Sequence, residues 1–196
     1  MDELTWLAER YRRTREPADG IAVWKAARPD VARLALLLSI QREDREDFIE
    51  EVLEDAILEI RKYKPGYRFF TFLFLRCRTF ARRYRQLALR TNRVTSIERQ
   101  RTVTPVLSVE EVALRKERLE RIFACTRSLT ERQREVLSLY LEDYSNKDIA
   151  RILWITQGNV RVNLAEAFKR IRRVYSGTAV PSEKDPRRST SGVTQS

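Results

Sequence analysis

The sequence predicts an all-α protein of two small helical domains joined by a basic linker, the C-terminal one a helix-turn-helix. Three observations predict it. Apolar residues recur at helical spacing along most of the 196 residues, while strand-like alternation is scarce. Five Gly and six Pro leave little of the chain to loops. Between two periodic stretches the period fails over about 89–109, where Thr, Ser, Asn, Pro and Arg dominate. The expected organisation is an N-terminal extension helix within 1–20, a helical domain over 21–88, a linker over 89–109, a second helical domain over 110–175 and a disordered tail over 176–196.

The elements follow in order. Residues 2–14 place Leu4, Leu7 and Tyr11 on one helical face, with acids at the start and Arg at the end, as the helix dipole favours. Pro17 and Gly20 break this helix. A second runs over Ile21–Ala27, and Pro29 opens a third carrying Val31, Leu34, Ala35 and Leu38. Residues 44–63 form the clearest long helix: Phe48, Val52, Ala56 and Ile60 repeat every four, and the opposite face is acidic from Asp44 to Glu59. Lys64-Pro65-Gly66 ends it. Residues 68–86 are dense in aromatics, with Arg76, Arg78, Arg82, Arg83 and Arg85 interleaved; most of these aromatics are needed for a core. A helix over about 108–126 opens the second domain. Thr130 and Gln133 form a capping box for the next helix; Ser145 or Asn146 caps a short one, and Thr156 a longer one.

Net charge is +11, and of 39 basic residues all but seven are arginine, whose planar donor fork suits phosphates and base edges. This balance favours a polyanion, nucleic acid before an anionic membrane. Cys77 and Cys125 are far apart, and with no His the chain has no standard structural zinc site. A disulfide is not expected, nor is a cofactor or metal. The charged start has no signal-peptide character, and the longest apolar run, Leu34–Leu38, is too short to span a bilayer. The expectation is a cytoplasmic protein without membrane insertion.

Helices at 146–153 and 157–172, about three residues apart, carry the chemistry. Ala150 is small where the two must cross, and Ile149, Leu153, Ile155, Val160 and Leu164 can form the core that fixes the crossing. Gln157, Asn159, Arg161, Asn163 and Glu166 are left outward. Arg pairs with guanine and Asn with adenine in a major groove, while Lys169, Arg170, Arg172 and Arg173 are placed for phosphates. The plain alternative is a helical hairpin with a solvated polar face.

These residues resemble a known family. The runs Arg132-Gln-Arg-Glu-Val-Leu137, Asp148-Ile-Ala-Arg-Ile-Leu153 and Gly158-Asn-Val160 are similar to the promoter −35-reading domain of the extracytoplasmic-function sigma factors of the sigma-70 family. Asp47, Glu50 and Glu51, with the aromatic-basic helix after Lys64-Pro-Gly-Tyr-Arg-Phe69, resemble that family's first domain. The resemblance covers about 21–174 and implies an alternative sigma factor: a non-catalytic protein that binds RNA polymerase core and directs promoter recognition and opening. It implies core binding on the clamp helices through Asp47, Glu50, Glu51 and Glu54. It implies −10 melting by Lys64, Tyr67, Arg68, Arg76, Arg82 and Arg83, with the flipped base received at the loop Lys64–Phe69. It implies −35 reading by Thr156, Gln157, Asn159, Arg161, Asn163, Lys169 and Arg170. Aromatic faces beside Arg suit unstacked bases, and Tyr67 is the aromatic expected to touch them. Implied partners are polymerase core, promoter DNA and, as a further candidate, an anti-sigma factor.

The chain departs from the family pattern in four places. Trp154 stands where the turn usually has Gly, and Trp tolerates a left-handed turn poorly, so an unusual turn geometry or partner contact is expected. Val162 and Glu166 replace polar or basic residues, and Thr79 replaces an Asn. The helix 2–14 lies outside the resemblance. A stand-alone helix-turn-helix regulator is the nearest rival; a DNA-acting enzyme with a carboxylate–metal site and a polyanion-binding scaffold are further ones.

Overall fold

The computed structural model describes residues 2–91 and 124–177, with side chains through 88 in the first segment and 124–174 in the second. Every regular element among them is helical. The helices are α1 (Glu3–Thr14), α2 (Pro17–Leu37), α3 (Arg45–Leu58), a short 3₁₀ turn (Ile60–Lys62), α4 (Phe69–Thr91), α5 (Glu131–Tyr140), α6 (Asn146–Leu153) and α7 (Gln157–Gly177).

In α1, the Asp2 side chain caps the helix by accepting from the Thr5 N–H at 2.8 Å. Arg15, left-handed at φ 59°, closes it by donating its N–H to the Tyr11 carbonyl. The chain then reverses into α2, with Pro17 in the first helical turn, where its missing N–H costs nothing. Gly20 lies inside α2 because Tyr11 packs on it: a Cβ there would stand 3.0 Å from the Tyr11 ring. Pro29 also lies inside α2, so the expected pair of helices over 21–38 is one continuous helix. Pro29 and Lys25 are both exposed, so the carbonyl that loses its i+4 donor faces solvent. Val23, Ala27, Val31 and Leu34, buried on both sides of the proline, hold the two halves in line.

The acidic helix ends earlier than its pattern suggests, at Leu58, and tightens into the 3₁₀ turn before Tyr63. The loop that follows turns through Gly66 at φ +88°. Phe48, Leu53, Ile60, Phe69, Leu73 and Phe74 form the fully buried centre of the N-terminal helices, and Leu34 of α2 packs among them. Phe48 meets Tyr84 edge to face at 5.5 Å, and Tyr63 meets Phe69 at 5.1 Å. Cys77 and Cys125 are both free thiols.

Helix α4 continues to Thr91, into the segment expected to be linker. The rest of that linker, most of the expected helix 108–126 and nearly all of the expected tail lie outside the described residues; 124–127 are helical. The capping box is present: the Gln133 N–H donates to Thr130 Oγ1 at 3.2 Å, and the Thr130 N–H to Gln133 Oε1 at 3.0 Å. Ser145 caps α6 through the Asp148 N–H at 3.1 Å. A side-chain cap of this kind contributes about 1 kcal/mol. Val136, Leu139, Ile149, Leu153 and Val160 join the same buried cluster as the N-terminal helices, so the two helical groups pack against each other.

Candidate nucleic-acid interface

Helices α6 and α7 cross over a small apolar centre of Ile149, Ala150, Leu153, Val160 and Leu164. Trp154 makes the turn between them in the left-handed conformation, φ 57° and ψ 49°, with its N–H donated to the Ala150 carbonyl. The turn geometry is therefore the one glycine usually supplies, despite the indole. Thr156 Oγ1 accepts from the Asn159 N–H at 3.2 Å and starts α7.

Of the expected −35 residues, Thr156, Gln157, Asn159 and Arg161 are exposed at the start of α7, and Lys169 is exposed in its second half. The polar stripe points to solvent, away from the body of the molecule. The other two are partly spent inside the chain: Asn163 Nδ2 donates to the Asn159 carbonyl at 2.7 Å, and Arg170 donates to the Ser128 carbonyl at 3.0 Å. Glu166 and Val162 are exposed on the same helix.

The expected core-binding carboxylates sit on the outer face of α3. Asp47, Glu50 and Glu54 are exposed and Glu51 is half-buried. Arg28 of α2 bridges Glu50 and, at 2.6 Å, Glu46, while Arg83 of α4 pairs with Glu51. Two expected site residues, Glu51 and Arg83, thus neutralise each other. Surface pairs of this kind are worth little and exchange partners readily.

The expected −10 residues are divided between two sides of α4 and the loop before it: Arg76 and Arg83 pair with Asp55 and Glu51 of α3, whereas Arg82 turns toward Glu131 and Glu135 of α5. Lys64, Tyr67, Arg68, Arg82 and Arg83 are exposed and Arg76 half-buried, held by Asp55 at 3.1 Å. Tyr67 is 51% exposed, while Phe69, Phe70 and Phe74 are buried. The loop is braced from within. Tyr63 donates its hydroxyl to the Tyr67 carbonyl at 2.6 Å, and burial, then the charges of Glu9 and Asp2, push that phenol up to about 12, so it stays a donor.

Helix α1, outside the family resemblance, braces the loop from the other side. Thr5 Oγ1, 4% exposed at the residue level, accepts the Phe69 N–H at 2.9 Å, satisfying one of the orphan donors at the start of α4. Glu9 reaches the Gly66 N–H at 3.5 Å, and Asp2 lies 3.6 Å from Arg68. Nothing in the local pattern of 2–14 marks these residues, because their partners are more than fifty positions away. Replacing Thr5 by valine keeps the shape and orphans a buried N–H, so stability falls by about 1–3 kcal/mol. Urea denaturation reads this, and Thr5→Ser restores most of it; equal stability of the valine variant and the parent would remove the brace.

The C-terminal helices lie over this same region. Glu135 of α5, 1% exposed, pairs with Arg78, with Arg132 at 2.9 Å and with Arg82 at 3.5 Å. Glu131 takes Arg82 at 2.7 Å and Arg85 at 3.0 Å. Burial pushes Glu131 up, but the hydrogen bond from Arg82 and the charges of Arg85, Arg82 and Arg78 outweigh it, and its carboxyl lies below the usual range. Arg68 donates to the Glu142 carbonyl at 2.6 Å and stacks over Tyr144, Thr71 and Tyr144 share a hydrogen bond of 2.7 Å, and Arg151 stands over Tyr67 at 5.8 Å. Arg82 and Tyr67 are therefore in contact with the C-terminal helices, and Arg68 with the loop between α5 and α6. Glu131, Glu135, Glu142 and Tyr144 are the residues that sequence reasoning missed; in sequence they look like the polar face of a solvated helix and a loop.

This geometry is a helix-turn-helix whose second helix presents a solvent-exposed polar face. Residues 119–171 match the family model of sigma-70, region 4. No curated protein matches the chain. Among solved structures, CnrH in complex with the cytosolic domain of CnrY is similar with a TM-score of 0.65 at 17% identity, over 91% of this chain and 100% of that one. The sigma factor RpoE in complex with the anti-sigma factor NepR from Bartonella quintana is similar with a TM-score of 0.54 at 18% identity, over 79% of this chain and 94% of that one. Residues 119–171 are thus similar to region 4 of sigma-70, and the chain shares the fold of CnrH and of the sigma factor RpoE.

Proposed function

We propose that this chain is an alternative sigma factor of the extracytoplasmic-function kind: it binds RNA polymerase core and directs promoter recognition and opening, with no catalytic role of its own, in the cytoplasm. The observation that carries this is the solvent-facing stripe Gln157, Asn159 and Arg161 at the start of α7, within a region 4 domain. Residues 21–88 take polymerase core and the −10 element; residues 110–175 read the −35 element. Asp47, Glu50, Glu51 and Glu54 dock on the clamp helices. Lys64, Tyr67, Arg68, Arg76, Arg82 and Arg83 hold the opened strand, Tyr67 against an unstacked base. Gln157, Asn159, Arg161 and Asn163 face base edges, with Thr156, Lys169 and Arg170 on the backbone.

The packed arrangement sets up a competition. Arg68, Arg82 and Tyr67 are engaged by Glu142, Glu131, Glu135 and Arg151, so DNA bound at these residues competes with the C-terminal helices for them. The two helical groups part as the −10 strand is bound. An anti-sigma protein is a further partner class, supported by RpoE having been solved with the anti-sigma factor NepR.

Run-off transcription with purified bacterial core polymerase on a genomic fragment library tests the reading. The expected result is initiation at a discrete set of promoters that depends on adding this chain. A stand-alone regulator would instead bind a duplex operator tightly without core and start no transcript, which would overturn the proposal. Divalent-metal-dependent cleavage of the fragments would overturn it in favour of an enzyme.

A further inference from the structure

Two residues flanking the start of the recognition helix are both costly to folding. Trp154 adopts the left-handed conformation, which residues other than Gly, Asn and Asp avoid, and the residue is 92% exposed. It incurs backbone strain and recovers almost none of it by burial. Gly158 lies four positions on, in the first turn of α7. It has no left-handed φ, and a Cβ built there would meet only Thr156 Oγ1, at 3.7 Å, an ordinary contact. Alanine would fit and would favour the helix. Neither residue is where the fold wants it, and both face solvent on either side of the cap Thr156.

Such a pair has the form of a seat: a bare strip of backbone that lets another surface approach closely, and a large flat side chain at its edge. The surrounding charge says what sits there. Over 151–173 there are six basic residues and one acid, Glu166. A helix about 10–12 Å across fills a major groove about 12 Å wide, so side chains that leave its first turn sideways meet a groove wall.

We propose that Trp154 and Gly158 together form a contact for the sugar-phosphate wall of duplex DNA, the glycine admitting the backbone and the indole packing flat on deoxyribose. This deepens the reading of α7 as the groove-entering helix and rests on it. The contact is independent of sequence: it sets how deeply and at what angle α7 enters, while Gln157, Asn159 and Arg161 read bases. An exposed tryptophan here supplies apolar area at the edge of a strongly basic surface, where another arginine would add only charge.

The test separates folding from binding, because the two are expected to change in opposite directions. The probe is a mixed-sequence DNA duplex at low salt, titrated with the full-length chain without polymerase. Trp154→Gly and Gly158→Ala are each expected to raise the melting temperature, by roughly 3 °C for the former. Each is expected to weaken duplex binding by about fivefold. Trp154→Phe keeps most of the affinity. In a Trp6→Phe, Trp24→Phe background, Trp154 emission is expected to become shielded from a soluble quencher when duplex is added. Unchanged duplex affinity in both variants, or a Trp154 that stays open to quencher at saturating duplex, overturns the proposal. So does shielding by polymerase core but not by duplex, which would assign the surface to the polymerase. Because the assay contains no polymerase, failure of the run-off experiment leaves its outcome readable.

Discussion

Replacing Glu135 by alanine loosens α5 from α4, and the molecule expands. Glu135 is the most deeply placed acid of the contact, shared among Arg78, Arg82 and Arg132. Removing one partner of a buried pair costs about 3–5 kcal/mol when the charge left behind stays buried. Here the three arginine side chains are 18%, 49% and 39% exposed, so Arg82 and Arg132 regain water and only Arg78 is stranded. The expected loss is therefore about 2 kcal/mol. Small-angle scattering is expected to show a larger radius of gyration, and the free chain is expected to bind a single-stranded oligonucleotide roughly tenfold more tightly, since the covered state no longer dominates. Glu135→Gln, which keeps the shape and can still accept from Arg78, falls between. A scattering profile and single-strand affinity both identical to the parent would show that this acid does not hold the two groups together.

Arg161→Ala is expected to lower holoenzyme affinity for its promoters by about 5–150-fold with no loss of stability. The range is that of one bidentate arginine–guanine pair, about 1–3 kcal/mol. The fold is spared because Arg161 is exposed and has no hydrogen bond or ion pair among the described residues. Truncating Arg170 instead removes the tie to the Ser128 carbonyl and costs stability as well as phosphate contact. Promoter binding by reconstituted holoenzyme, beside thermal unfolding of the free chain, distinguishes the two. If Arg161→Ala holoenzyme binds and initiates like the parent, α7 does not read the groove through this residue.

The helix-turn-helix was legible because its signals are local. Thr130 and Gln133 are three apart, Ser145 and Thr156 each cap the turn that follows, and the apolar positions of α7 recur at helical spacing. Pro29 misled because a proline's missing N–H is judged from sequence without knowing which face it takes; on the solvent face, with Val23, Ala27 and Val31 buried beneath, α2 runs through it. Trp154 was a different case. Side-chain preference left an altered turn or an unusual partner contact open; the turn itself is the ordinary left-handed one, because the apolar centre of Ile149, Leu153 and Val160 fixes the crossing and the backbone follows. The inter-group contact was hidden because its partners, such as Arg78 and Glu135, are 57 positions apart and each reads alone as solvated charge. The same holds for Thr5 and Phe69, 64 positions apart.

The acids that cover Arg68 and Arg82 have a thermodynamic consequence for promoter capture. An arginine meeting phosphate normally displaces a small cation from the double helix, and the ions set free make association steeply sensitive to electrolyte. When Arg82 leaves Glu131 for a phosphate, that carboxylate keeps Arg85 but loses its hydrogen-bonded partner, and the shortfall in positive charge draws a small cation in turn. Fewer ions are liberated overall than the number of arginine contacts implies, so single-strand capture by this protein tolerates concentrated electrolyte better than its +11 charge would suggest.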